Sequence, residues 1–151
     1  MHYTIGEAAK RLGVAPSTLR YYDKEGLLPF VERSPGGVRL FRDADFKWLN
    51  IIECLKKTGM PIRDIRTYID LCFEGDHTVA ARQALINKQR QAVLAQMAQL
   101  QQTLSILDYK HWYYEQAKAL GGCGAMGTLS PDAVPEEHRA AALLLQRANK
   151  E

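Results

Sequence analysis

A mainly α-helical chain is predicted, with a winged helix-turn-helix head, a long coiled-coil helix and a short C-terminal helix. Three features of the 151 residues predict it. Two short helical patterns near the N-terminus each run into a glycine stop. Two β-prone runs then flank a Pro-Gly-Gly turn. Finally, from about Thr78 to about Ala119 an apolar residue recurs every seventh position, and the stretch holds neither proline nor glycine. The expected divisions are a head over 1–75, a coiled-coil helix over 76–120, and a loop with a short helix over 121–151.

Thr4 with Glu7 three residues later forms a capping-box signature, in which hydroxyl and carboxylate each satisfy an N–H at a helix start. Ile5, Ala8, Ala9 and Leu12 follow at helical spacing, and Gly13 suits a left-handed stop. Pro16 fits the first turn of a second helix that carries Leu19, Arg20, Tyr21, Tyr22 and Lys24 up to Gly26. Phe30–Arg33 and Val38–Phe41, joined by Ser34-Pro35-Gly36-Gly37, read as a hairpin; directly after a helix-turn-helix it is a wing. Asp43 is expected to open a third helix bearing Phe46, Leu49 and Ile52, with Thr58-Gly59-Met60-Pro61 breaking it. A fourth helix is expected over Ile62–Phe73, before the break Glu74-Gly75-Asp76.

The uninterrupted stretch that follows would make a helix about 60 Å long. Ile86, Val93, Leu100, Leu107 and Tyr114 form one line of a seam, with Met97, Leu104 and His111 between them. Such a stripe is expected to be buried against a second copy; the alternative is a monomeric hairpin formed with the tail. Gly121-Gly122-Cys123-Gly124 ends the helix, and a last amphipathic helix is expected from Glu136 to about Ala148.

Composition narrows the functional classes. Hydrophobic residues make up 46% and charged residues 25%, a globular balance rather than a disordered one. No apolar run approaches the ~20 residues of a membrane span. Met1–Ile5 lacks the basic flank and apolar segment of a secretory signal, so a cytoplasmic location is expected. The net charge of +3 is compatible with nucleic acid or with an ordinary mixed surface. Cys54, Cys72 and Cys123 contain no CxxC pair, which argues against a zinc knuckle or a disulfide framework. Each is by default a buried, inert side chain, and the alternative is a reactive thiol. No cofactor or metal site is predicted.

Several motifs resemble one family. Tyr3-Thr4-Ile5-Gly6-Glu7-Ala8-Ala9, Leu19–Leu28, Gly37–Phe41 and Leu55–Met60 are similar to the signature of MerR regulators, in that family's order and spacing. With the long helix, the resemblance covers Tyr3 to about Ala119. It implies a homodimer joined by an antiparallel coiled coil, whose heads grip double-stranded promoter DNA. It also implies that the protein bends and untwists a promoter with a long spacer, serving RNA polymerase as an activator. Smooth bends of that scale cost about 1–6 kcal/mol.

The resemblance also implies a DNA-binding set. Ser17, Thr18 and Arg20 are the candidates for base or nearby phosphate contact, arginine being suited to guanine. Tyr21 and Tyr22 match a tyrosine pair, with one expected in the core and one at the DNA. Arg33 and Arg39 on the wing, Lys56 on the third helix and Thr4 complete the set. The wing reads Gly-Gly-Val-Arg where the family commonly has Asn-Gly-Tyr-Arg, and so keeps its arginine.

For the signal, Cys54–Met60 and Leu104–Lys110 resemble the short thiol-stress and aldehyde-responsive (AdhR/NmlR-like) branch. There a cysteine at the position of Cys54 is the proposed sensor of small electrophiles, and neighbouring cations such as Lys56 and Lys57 favour a reactive thiolate. A buried structural Cys54 is the alternative. Two other signals stay open: a metal held by Cys72, His77 or Cys123, and a small apolar ligand held with the last helix. Outside regulation, a coiled-coil adaptor that binds protein is one reading. A thiol enzyme is another, but His2, His77, His111 and His138 are scattered and pair with no cysteine.

Overall fold

Helix α1 spans Ile5–Leu12 in a computed structural model that describes residues 1–128 and 130–148. Thr4 and Glu7 form the expected capping box, and Gly13 closes the helix in the left-handed region at φ 75°. Helix α2, Pro16–Lys24, packs on α1, and its proline stands at the helix start where no N–H is needed. The wing consists of β2 (Glu32–Arg33) and β3 (Arg39–Arg42), antiparallel with Arg33 opposite Arg39. Gly37, at φ 79°, carries the reversal between them.

A third strand was not anticipated. His2–Tyr3 forms β1 and pairs antiparallel with β3, Tyr3 opposite Phe41, so the sheet order is β1-β3-β2. Two residues carry no readable alternation, and the strand is fixed by pairing rather than by its own propensity.

Helix α3 runs Asp45–Lys57, two residues later than the start expected at Asp43. The Asp43 carboxylate is spent across the fold: it accepts from the Tyr3 hydroxyl at 2.9 Å and from Arg11 at 2.7 Å. Asp45 instead meets the preceding chain, accepting the Arg42 N–H at 2.8 Å. Gly59, at φ 82°, turns the chain into α4, Ile62–Glu74.

Leu19, Tyr22, Leu27, Leu28, Phe41, Leu49, Ile52, Ile65 and Ile69 are fully buried in the head core. Each large apolar side chain so placed contributes about 1.5–3 kcal/mol.

A short 3₁₀ turn, Asp76–Thr78, leads into α5, Val79–Ala119, which runs unbroken for 41 residues. The chain divides into two compact units, Met1–Val93 and Leu94–Glu151. In the first, the 3₁₀ turn and the opening turns of α5 are tied to the head. Thr78 donates to the Leu71 carbonyl at 2.6 Å, Gln89 to the Thr58 carbonyl at 2.7 Å, and Lys88 to the Asp64 carboxylate at 2.7 Å. The Lys88 ammonium beside Asp64 holds that carboxyl below its ordinary range.

In the second unit the seam residues of α5 stand in the open. Leu100 is 69% exposed, Met97 and Leu107 60%, and Tyr114 54%. Ala117 is buried, as are Ala141 and Ala142 of the last helix α6, Glu136–Ala148. Leu129 and residues 149–151 of the expected tail lie outside the described residues. Among the described residues, no helix is long and apolar enough to cross a membrane.

Candidate nucleic-acid interface

Helix α2 has two faces. Leu19 and Tyr22 point into the core, while Ser17, Arg20, Tyr21 and Lys24 are exposed at i, i+3, i+4 and i+7 spacing and so share one face. Thr18 is half-buried at its edge. Lys24 was not among the expected contact residues, although the same spacing would have found it.

The tyrosine pair divides as expected in its burial: Tyr21 is 45% exposed and Tyr22 fully buried. Tyr22 therefore leaves the set of exposed candidates. Its hydroxyl donates to the Glu53 carboxylate and accepts from the Lys56 ammonium at 3.1 Å. Burial, then the bond to Glu53, pushes the phenol well above its ordinary range. Lys56, expected as a phosphate contact, thus has its ammonium engaged with the hydroxyl of α2, although the residue itself is exposed. Glu53 and Lys56, 31 and 34 positions beyond Tyr22, tie α3 to the helix that faces outward, and no local sequence pattern announces such a tie.

The wing arginines are also engaged. Asp23, on α2, takes an ion pair from Arg33 at 3.1 Å and a second from Arg39. Arg39 further donates to the Val31 carbonyl at 2.7 Å, and it is half-buried, whereas Arg33 is exposed. Arg39 is therefore a clamp between wing and helix as well as a basic group near the surface. Thr4 is exposed, but its hydroxyl is held by the Glu7 carboxylate at 2.8 Å. Bonds from the Thr4 N–H and hydroxyl hold the Glu7 carboxyl below its ordinary range. At the base of the sheet, Arg11 lies 4.2 Å from the Phe46 ring centroid, and its bond to Asp43 leads the causes that lower that carboxyl to about 2.

The buried-thiol expectation is corrected at two cysteines. Cys54 and Cys123 are exposed, and Cys72 is half-buried with Arg82 Nη1 3.8 Å from its sulfur. The helical wheel explains Cys54: it lies about 200° around α3 from buried Ile52, on the exposed face with Lys47, Asn50 and Lys57. Among the described residues no group of three or more His, Cys, Asp or Glu side chains could hold a metal ion.

Comparison with known proteins decides the family. Residues 3–72 match the MerR HTH family regulatory protein model, and residues 46–109 match the model for MerR, DNA binding. An uncharacterized HTH-type transcriptional regulator of Haemophilus influenzae is 44% identical over 83% of this chain and 93% of its own. The chain belongs to the MerR family. This MerR-family chain is a DNA-binding transcriptional regulator, and its family is one of regulators rather than enzymes. It is also similar to HTH-type transcriptional regulator AdhR of Bacillus subtilis, at 38% identity over 60% of this chain and 64% of that one. A crystal structure of HiNmlR, a MerR family regulator lacking the sensor domain, bound to promoter DNA, matches with TM-score 0.61 and 44% identity. That match covers 83% of this chain and 99% of the solved one. These likenesses are consistent with the AdhR/NmlR-like branch.

Proposed function

We propose that this regulator acts as a homodimer on a long-spacer promoter, distorting the DNA for RNA polymerase in response to a small electrophile that adds to Cys54. The observation that carries the reading is the placing of Cys54 beside Glu53, whose carboxylate holds the buried Tyr22 of α2. Addition of an aldehyde needs no oxidant. The sulfur bonds to the carbonyl carbon, the carbonyl π pair moves to oxygen, and the thiol proton ends on that oxygen as a hemithioacetal. An adduct on the exposed face of α3 crowds the Glu53–Tyr22–Lys56 tie and biases the setting of α2. The switch then consists of two settings of α2, with the tie made and with it broken.

In DNA contact, Ser17, Arg20, Tyr21 and Lys24 meet the major groove or its phosphates. Thr18 supports that edge, and Arg33 and Arg39 set the wing against the backbone. The exposed seam on α5 supports pairing with a second copy, since apolar residues at heptad spacing are stable only when covered.

The test is alkylation of the folded protein near pH 7, read at each cysteine by mass spectrometry, alongside aldehyde-dependent transcription from its promoter. Cys54 is expected to react fastest, and Cys54→Ser to abolish induction while keeping DNA binding. Induction that survives Cys54→Ser would overturn the sensor assignment and leave the DNA-binding function intact.

A further inference from the structure

Within the second unit, the end of α5, the following loop and α6 border an open cavity of about 510 Å³. That is the size range of small-molecule sites. One wall is aromatic. Tyr109 and Trp112 stack with ring centroids 6.0 Å apart, and His138 of α6 approaches them at 6.4 and 5.9 Å. Met126 and Val134 from the loop and Leu143 from α6 line the rest with apolar surface.

The polar lining, Ser130 with Asp132 and Arg139, is balanced in charge. Asp132 and Arg139 carry opposite formal charges, so the lining offers no net counter-charge to an ion. Arg139 is oriented by donating its Nε–H to the Val134 carbonyl at 3.2 Å. It adds a planar guanidinium, rich in donors and without acceptors, beside the apolar and aromatic surface.

We propose that this cavity binds neutral, flat, largely apolar ring compounds that carry a hydrogen-bond acceptor such as a carbonyl at one edge. The rings pack on Tyr109 and Trp112 in the offset or edge contact that aromatic pairs prefer. The acceptor lies toward Arg139. Leu143 is 59% exposed and marks the open side through which such a molecule enters. This site is independent of Cys54, which lies in the other unit.

The test titrates the full chain with N-phenyl-1-naphthylamine, a neutral fluorophore, and displaces it with 9-fluorenone, which adds a carbonyl. The fluorophore is expected to saturate at one molecule per chain with blue-shifted emission. It should also quench Trp112 in a Trp48→Phe background. Ala142→Phe fills the cavity from its buried side and Leu143→Trp crowds its exposed side. Each should weaken fluorophore binding at least tenfold while helicity by circular dichroism is kept. Because Leu143 is on the surface, Leu143→Trp remains informative if Ala142→Phe fails to fold. Arg139→Leu should weaken 9-fluorenone about tenfold and leave the fluorophore unchanged, and Cys54→Ser should change neither. Binding that does not saturate, or that Leu143→Trp leaves within twofold, overturns the site. Equal loss of both compounds in Arg139→Leu overturns the acceptor assignment.

Discussion

Asp23 holds Arg39. The carboxylate on the outward-facing helix and the guanidinium on the middle strand of the sheet form an ion pair with both side chains about one-fifth exposed, and Arg33 joins from the neighbouring strand. The wing is thereby fastened to α2, and the position of one depends on the other. Asp23→Asn should cost about 1–3 kcal/mol of stability, the usual loss when a charged hydrogen bond loses its partner. It should also weaken DNA binding, although Asp23 itself carries the wrong charge for phosphate. Urea unfolding and fluorescence anisotropy on one operator fragment measure the two effects. Unchanged affinity in a destabilised variant would show that the wing finds its place without the clamp.

Arg20 and Lys24 share a face but should fail differently. Arg20→Ala should relax sequence preference and cost about 1–3 kcal/mol on the cognate site, whereas Lys24→Ala should weaken all sequences alike and lower the salt slope by about one. Competition binding at several salt concentrations separates them. The same salt response in both would place Arg20 on phosphate.

Tyr21 and Tyr22 should exchange phenotypes. Tyr22→Phe removes the hydroxyl that joins Glu53 to Lys56 and should lower stability by about 1 kcal/mol or somewhat more, because two part-buried charged hydrogen bonds are lost. Tyr21→Phe should leave the unfolding midpoint unchanged and weaken DNA binding. Loss of stability in Tyr21→Phe would show that the exposed ring packs more than its surface suggests.

The Asp64–Lys88 pair sets an acid limit on the tie between α4 and α5. The folded state lowers the Asp64 pKa from its ordinary 3.8, first through the Lys88 bond. Its contribution is therefore fully present above that ordinary value and is lost as pH falls through the lowered one. The stability difference between the wild type and Asp64→Asn should be constant from neutrality down to about pH 5 and shrink below about pH 4. Denaturant midpoints across that range provide the check, and a difference that grows in acid would contradict the assignment.

The seam on α5 should fail to pair when charged. Leu100→Lys with Leu107→Lys places two cations in an apolar stripe and should shift the protein toward monomer in sedimentation equilibrium. A dimer that persists at the same concentration would mean another surface does the joining.

Local rules made most of the head readable. Thr4 with Glu7, Gly13 and Pro16 each act within one helical turn, so their signals survive without tertiary context. The α5 seam was equally plain because its period repeats many times. What stayed hidden depends on distant partners. The two-residue strand exists only because Tyr3 meets Phe41, and Asp43 fails to open α3 because Arg11 and Tyr3 claim its carboxylate. Lys56 reads in sequence as a free basic side chain, whereas the Tyr22 hydroxyl, 34 residues away, accepts from its ammonium. At Cys54 the structure sets aside the buried alternative and leaves the exposed thiol. Its sequence neighbours mix Ile51, Ile52 and Leu55 with Glu53 and Lys56, and it is the angle from buried Ile52 that turns it outward.

The ties between α5 and the head have a practical reach. Thr78, Arg82, Lys88 and Gln89 make them, and all four precede Val93, where the first unit ends. Residues 1–93 therefore carry both halves of their own attachment. Grafted in heptad register onto the dimerisation helix of another family member, they would form a portable reading head. Its operator choice would travel with it, and the recipient would keep its own means of sensing.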